Sequence, residues 1–127
     1  MKLAIDTNAY VAFCRNEAWA VEPVRRANQV SIPLMVLAEL RAGFACGTRS
    51  ADNERTLSKF LDVERVRILE PNVDTAFHYA HIFLQLRRQG TPIPTNDIWI
   101  ASLAVQHGLT LLTGDSHFDR VAQIPRA

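Results

Sequence analysis

The sequence contains few cysteines, and they do not suggest a disulfide framework. Cys14 and Cys46 are the only two, and neither belongs to a Cys-x-x-Cys pair or to a Cys/His cluster with zinc spacing. No apolar run approaches the roughly 20 residues that cross a bilayer, and the first residues, MKLAID, contain no apolar signal-peptide core. We therefore expect reduced cysteines and a cytoplasmic protein without a membrane partner.

The sequence also has no excess of charge of either sign. Its formal net charge is +1, so composition shows no broad basic surface for nucleic acid, and any polyanion must be held locally. All basic residues except Lys2 and Lys59 are arginines, which suits phosphate contacts, but a GC-rich genome explains the same bias and is the favoured interpretation. With 127 residues, 48% of them hydrophobic, the chain is expected to form one globular domain, residues 1–127.

Short apolar runs alternate with helical patterns along the chain. Four runs rich in aliphatic residues predict strands. Capping residues, Pro33 and Gly90 mark helix boundaries, and Pro23 predicts a break or a late start in the second helix. The predicted strands are residues 2–5, 30–32, 66–69 and 109–112, and the predicted helices are residues 9–14, 18–28, 34–42, a helix from Ser50 through Leu61, 73–89, and 98–106 opened by Asp97.

The helix predicted at residues 73–89 has two apolar flanks. One flank repeats at i, i+3 and i+4 and is the expected core stripe. The other flank is interpreted as further buried surface, with a dimer interface as the alternative. The expected core stripe contains Val73, Ala76, Phe77, Ala80, Phe83 and Leu84, and the second flank contains Tyr79, Ile82 and Leu86.

The alternation of strands and helices predicts an α/β fold with a central, mostly parallel sheet of four to five strands. Helices cover both faces of such sheets, and ligands bind at the edge where the carboxyl ends of the strands lie. Asp6 and Asp115 each follow a predicted strand. They are therefore expected to meet at that edge although they are far apart in sequence.

Four acids, Asp6, Glu39, Asp97 and Asp115, interrupt apolar sequence at strand ends or on helix faces. Three of them have ordinary alternatives, since Asp6 and Asp97 suit helix N-termini and Asp115 suits a turn. Glu39 has no cation one helical turn away and is costly to bury alone. Carboxylates gathered at one sheet edge would repel strongly without cations, so their coincidence predicts a divalent metal site.

Four segments resemble the PIN domain, and more narrowly the VapC-type toxin ribonucleases of toxin–antitoxin pairs. They read LAIDTN from Leu3, VLAEL from Val36, NDIWIA from Asn96 and LLTGDSHF from Leu111, and they cover nearly the whole chain in the family's order. The resemblance implies a PIN-like fold and a Mg²⁺- or Mn²⁺-dependent endoribonuclease. The metal-binding and catalytic residues that it implies are Asp6, Glu39, Asp97 and Asp115.

The resemblance also implies supporting residues. Thr113, Asn96 and Asn8 match polar positions next to the four acids. Asp119 is considered as a further acid at the edge of the site, although a solvated carboxylate is the favoured interpretation because Arg120 is adjacent. His117 is not assigned a role as a base. The partners implied are an RNA substrate, a cognate VapB-like antitoxin and a second copy of the chain in a homodimer.

Two other functions are consistent with parts of the pattern. An aspartyl-phosphate phosphatase would need an acid two residues after Asp6, where the chain has Asn8. A PIN-like module that binds RNA or protein without cleaving is the alternative from a different functional class. The presence of an acid at all four positions favours the nuclease.

Overall fold

A computed structural model describes residues 1–127, which form one sheet, six α-helices and a 3₁₀ helix. Pro23 lies inside the second helix, which continues through it, so the predicted break or late start is wrong. No helix combines the length and the apolar character required to span a bilayer. The elements are β1 (Lys2–Ile5), α1 (Thr7–Cys14), α2 (Ala18–Arg26), β2 (Gln29–Pro33), α3 (Leu34–Cys46), α4 (Ser50–Leu61), β3 (Val66–Leu69), α5 (Val73–Gln89), α6 (Thr95–His107), β4 (Thr110–Leu112) and the 3₁₀ helix (Ser116–Arg120).

The sheet has the strand order β3-β2-β1-β4, and all neighbouring strands are parallel. The C-terminal tail extends it, because Arg126 forms a parallel bridge with Leu111 at the open edge of β4. The Leu111 N–H donates to the Pro125 carbonyl at 2.8 Å, and the Ala127 N–H donates to the Leu111 carbonyl at 3.1 Å. The predicted α/β class and the count of four to five strands are confirmed.

The central strand β1 brings two distant chain segments together. Ile5 is opposite Leu112 in the parallel register of β1 and β4. The next residue, Asp6, donates its backbone N–H to the Leu112 carbonyl at 3.4 Å. The carboxyl ends of both strands therefore deliver Asp6 and the segment from Thr113 onward to the same edge of the sheet.

Helices pack on the sheet and bury its apolar side chains. Leu3 and Ile5 of β1 are 0% exposed, and α6 contributes Ile100, Ala101 and Ala104 to the same core. A helix that is apolar on most sides is expected to be buried. Because α6 is held in this way, the acid in its first turn has a fixed position relative to β1.

Helix α5 has the length that the sequence predicts, but its predicted core face is wrong. Ile82 and Leu86 are buried, whereas Val73 is 82% exposed and Phe77 is 75% exposed. The buried face is set by α6, against which α5 packs, and it includes the contact between the rings of Tyr79 and Trp99, whose centroids are 4.5 Å apart. The predicted stripe is instead an apolar surface exposed to solvent.

Substitutions can test which face of α5 is buried. Ile82→Ala should lower the free energy of unfolding by about 2–4 kcal/mol, because it removes buried methylenes and leaves a cavity. Val73→Ala should change it by less than about 0.5 kcal/mol, since that side chain is already in solvent. Urea denaturation followed by circular dichroism measures both, and equal losses for the two variants would contradict the observed packing.

Candidate metal centre

Asp6 is the most buried of the four acids, with 4% of its surface exposed. It is the N-cap of α1, where its Oδ1 atom accepts the Ala9 N–H at 2.8 Å. Its Oδ2 atom accepts a hydrogen bond from the Thr113 hydroxyl. The carboxylate therefore both caps a helix and faces the segment that follows β4.

The surroundings of Asp6 disfavour its charged form. Burial raises the pKa of Asp6 above its ordinary value. The hydrogen bonds from Thr113 and Ala9 lower the pKa in part, and the charges of Asp115 and Asp97 raise it again. Both distant acids that influence this pKa belong to the four that the sequence predicts at this site.

Asp97 and Asp115 both contact the same nitrogen atom of His117. The Nδ1 atom of His117 is 2.9 Å from Oδ2 of Asp97 and 3.2 Å from Oδ1 of Asp115. One ligand atom from each of these three residues lies within 4.8 Å of the others. Burial raises the pKa of Asp97, the His117 hydrogen bond lowers it and the charge of Asp115 raises it. The three side chains thus form the most compact group of metal-ligand atoms in the protein.

Glu39 approaches from α3 and is half-buried. Its Oε1 atom accepts a hydrogen bond from the Thr7 hydroxyl at 2.8 Å, which orients the carboxylate from the first turn of α1. Its charge also contributes, after burial and Asp115, to the raised pKa of Asp97. Glu39 therefore belongs to the same electrostatic cluster.

Thr113 connects two of the acids. Its hydroxyl donates to the Asp6 carboxylate and accepts the backbone N–H of Asp115 at 2.9 Å. The Asp115 side chain in turn caps the 3₁₀ helix by accepting the His117 N–H at 2.9 Å. One short segment after β4 therefore fixes both the carboxylate that it carries and the one at the end of β1.

The remaining predicted residues are outside this cluster. Asn8 and Asn96 are exposed, and neither side chain makes a hydrogen bond. Asp119 has a side chain that is 65% exposed and accepts a hydrogen bond from Arg126 at 2.6 Å. Asp119 is therefore a surface ion-pair partner, which is the interpretation that the sequence favours.

Sequence reasoning does not identify two contacts of this site. Thr7 is not among the predicted site residues, yet its hydroxyl orients Glu39. His117 lies 20 residues after Asp97, and no spacing rule places their side chains together. Because His117 follows Asp115 by two residues, the sequence could have indicated its contact with Asp115, but not its contact with Asp97.

The donor set fits a small divalent cation. Carboxylate oxygens are the ligands that Mg²⁺ and Mn²⁺ prefer, and imidazole also suits Mn²⁺. Adjacent ligand atoms around an octahedral ion of this size are about 3 Å apart, because each lies roughly 2.1 Å from the ion. The contacts of 2.9 and 3.2 Å from His117 Nδ1 to the two carboxylates hold Asp97 and Asp115 next to each other. Asp6 and Glu39 supply further negative charge at the same edge.

Comparisons with known proteins agree with the fold. The PIN domain family model matches residues 3–124. Ribonuclease VapC2 of Rickettsia felis is 30% identical to this chain over 105 residues, which are 82% of this chain and 77% of that protein. The tRNA(fMet)-specific endonuclease VapC of Shigella flexneri is 29% identical over 124 residues, which are 95% of this chain and 92% of that protein.

A solved structure is similar over the full length. The crystal structure of VapBC2 from Rickettsia felis, bound to a DNA fragment from the promoter, contains a chain that superposes with a TM-score of 0.88 and 27% sequence identity. The match covers 100% of this chain and 98% of that one. The chain therefore belongs to the PIN domain family, within the group of the VapC proteins.

Proposed function

We propose that this chain is a toxin-type, metal-dependent endoribonuclease that hydrolyses RNA phosphodiesters and is neutralised by a cognate VapB-like antitoxin. The observation that carries the proposal is the set of contacts that joins three acids. Thr113 contacts both Asp6 and Asp115, and the Nδ1 atom of His117 is 2.9 Å from Asp97 and 3.2 Å from Asp115. The ribonuclease names of the relatives and the VapBC complex support the same function.

Asp6, Asp97 and Asp115 are proposed to hold the ion, with Glu39 bound directly or through a water molecule. Mg²⁺ or Mn²⁺ at this place would activate water and neutralise the charge that develops on the phosphate. Thr113 and Thr7 keep Asp6 and Glu39 in place through their hydroxyl groups. In the overall reaction a P–O bond forms to water and the P–O3′ bond breaks, so the products carry a 5′-phosphate and a 3′-hydroxyl.

The antitoxin assignment rests on the comparison with VapBC complexes. In this assignment the cognate antitoxin suppresses the nuclease, and the free chain is the active form. RNA is the proposed substrate because the relatives are named as ribonucleases or as a tRNA-specific endonuclease.

A homodimer through the exposed face of α5 is also proposed. This apolar face consists of Val73, Phe77, Phe83 and Leu84, all between 43% and 82% exposed. Asp74 is in the first turn of the helix, and Arg87 and Arg88 are in its last turn. A two-fold axis perpendicular to α5 would align the α5 helices of two copies antiparallel, which places the acidic end of each beside the basic end of the other.

Cleavage of RNA is the direct test of the nuclease. Purified protein without antitoxin should cut total cellular RNA into discrete fragments with Mg²⁺ or Mn²⁺, and EDTA or added antitoxin should stop the reaction. Asp97→Asn should lower the rate by more than about 100-fold, because it removes a proposed ligand of the ion. Gel electrophoresis of the RNA measures the products.

Asp119→Asn is the matched control, because it removes an acid of the same segment that pairs with Arg126 outside the cluster. Its cleavage rate should equal that of the wild type. Metal binding without any cleavage would favour the PIN-like binding module, and cleavage that survives Asp97→Asn would indicate a contaminating nuclease.

Asp6→Asn should abolish cleavage and stabilise the metal-free protein by a few degrees in its melting temperature. The raised pKa of Asp6 means that the folded protein favours the protonated carboxyl. The Asp6 carboxyl therefore contributes its full stabilisation below about pH 4, which is its pKa in the unfolded protein. This stabilisation is lost as the pH rises through the higher pKa of Asp6 in the folded protein. The difference in melting temperature between the variant and the wild type, measured in EDTA, should be near zero below pH 4 and should grow as the pH rises. A variant that is less stable at neutral pH would instead assign Asp6 a structural role.

Phe77→Glu should convert a dimer into monomers, because it places a charge in the centre of the apolar face of α5. Light scattering during size-exclusion chromatography gives the mass. Val63→Glu is the control, since Val63 is 44% exposed but lies outside α5. Dimers that persist in Phe77→Glu would exclude this face as the interface.

A further inference from the structure

Trp19 is a large aromatic side chain that remains at the surface beside the metal centre. It lies in the first turn of α2 and is 42% exposed. Its indole Nε1–H donates to Oε1 of Glu17 at 3.1 Å, so its polar atom already has a partner. The hydrogen bond fixes the ring while leaving much of its apolar surface in contact with water.

The covered part of the ring lies against the segment that carries Asp115. A Cβ atom at Gly114 would be 3.2 Å from Cη2 and 3.5 Å from Cζ2 of Trp19, and all three of its nearest neighbours would be atoms of this ring. Gly114 lies between Thr113, which holds Asp6, and Asp115. The absence of a side chain there lets the indole pack directly on the backbone of the metal centre.

The position of Trp19 suits recognition of a nucleobase. An aromatic ring that is fixed on one side and exposed on the other is a platform on which bases of single-stranded nucleic acid stack. Single-stranded segments are also the parts of RNA whose bases are free to stack on side chains. Glu17, whose carboxylate accepts the indole N–H, disfavours a phosphate at the polar edge of Trp19, which leaves the ring face for a base.

We propose that Trp19 stacks on a base of single-stranded RNA adjacent to the phosphodiester that is cut. This inference rests on the proposed ribonuclease function and deepens it. A phosphate that reaches Asp97 and Asp115 brings a neighbouring nucleotide beside Gly114, next to which the indole lies. Stacking tolerates every base, so Trp19 positions the strand and selects single-stranded over paired RNA.

The kinetic test uses Trp19→Ala and Trp19→Phe in the full-length, antitoxin-free protein. On a short single-stranded RNA, Trp19→Ala should raise KM about tenfold and leave kcat within about twofold, because the stacked base contributes binding energy. Trp19→Phe should keep most of the affinity, since it retains an aromatic ring. Mn²⁺ affinity, measured by titration calorimetry without RNA, should be the same in wild type and both variants.

A binding test gives a readout that does not depend on turnover. In the Asp97→Asn background, a single-stranded RNA oligonucleotide should quench tryptophan fluorescence, and a duplex of the same sequence should not. Trp99 is the only other tryptophan and packs on Tyr79. Quenching should therefore persist in Trp99→Phe and disappear in Trp19→Phe.

The outcomes separate this inference from the proposed function. Metal-dependent cleavage with an unchanged KM in Trp19→Ala, and no quenching by RNA, would overturn the stacking role and leave the nuclease intact. Weaker Mn²⁺ binding in Trp19→Ala would overturn it as well, since the ring would then only support the Asp115 segment. Loss of antitoxin affinity with unchanged RNA affinity would assign Trp19 to a protein interface instead. If the wild type cleaves no RNA, the proposed function fails, and the quenching experiment still decides whether Trp19 contacts RNA bases.

Discussion

The burial of carboxylates close to one another is the constraint on which this structure depends. Asp6 is almost fully buried, and the charges of Asp115 and Asp97 add to the rise that burial causes in its pKa. Such a group is costly in a protein without a bound cation. The parallel sheet and its apolar helices stabilise the backbone that carries these acids, so the fold holds them together in spite of their repulsion. A divalent ion bound at the proposed site would relieve the same cost.

Hydrogen bonds to backbone groups and hydroxyl groups make the arrangement specific. Thr113 contacts both Asp6 and the Asp115 backbone, and Thr7 contacts Glu39 from the next helix. The tail beyond the 3₁₀ helix returns to pair with Leu111 of β4, just before Thr113. Asp6 and Asp115 therefore follow strands that are anchored in the sheet, and this limits how far their carboxylates can separate.

Two regions of the protein surface differ in their chemistry. The acids lie at the carboxyl edge of the sheet, and the exposed indole of Trp19, on α2, lies beside this edge next to Gly114. The apolar face of α5 is distinct from the acidic edge in its chemistry, because it presents Phe77, Phe83 and Leu84 to solvent. A small protein with a net charge of +1 thus relies on local sites for recognition and has no overall field of one sign.

The sequence by itself determined the order of the strands and helices, because apolar runs and caps act locally. It also identified the four acids as candidate site residues, because parallel strands bring their carboxyl ends to one edge of the sheet. It could not determine which flank of α5 is buried, since both flanks are apolar and the choice depends on packing against α6. The contacts of His117 with Asp97 and of Trp19 with Gly114 join residues distant in sequence. Only the tertiary structure decides such contacts, because they depend on how separate elements pack and not on the spacing within any one of them.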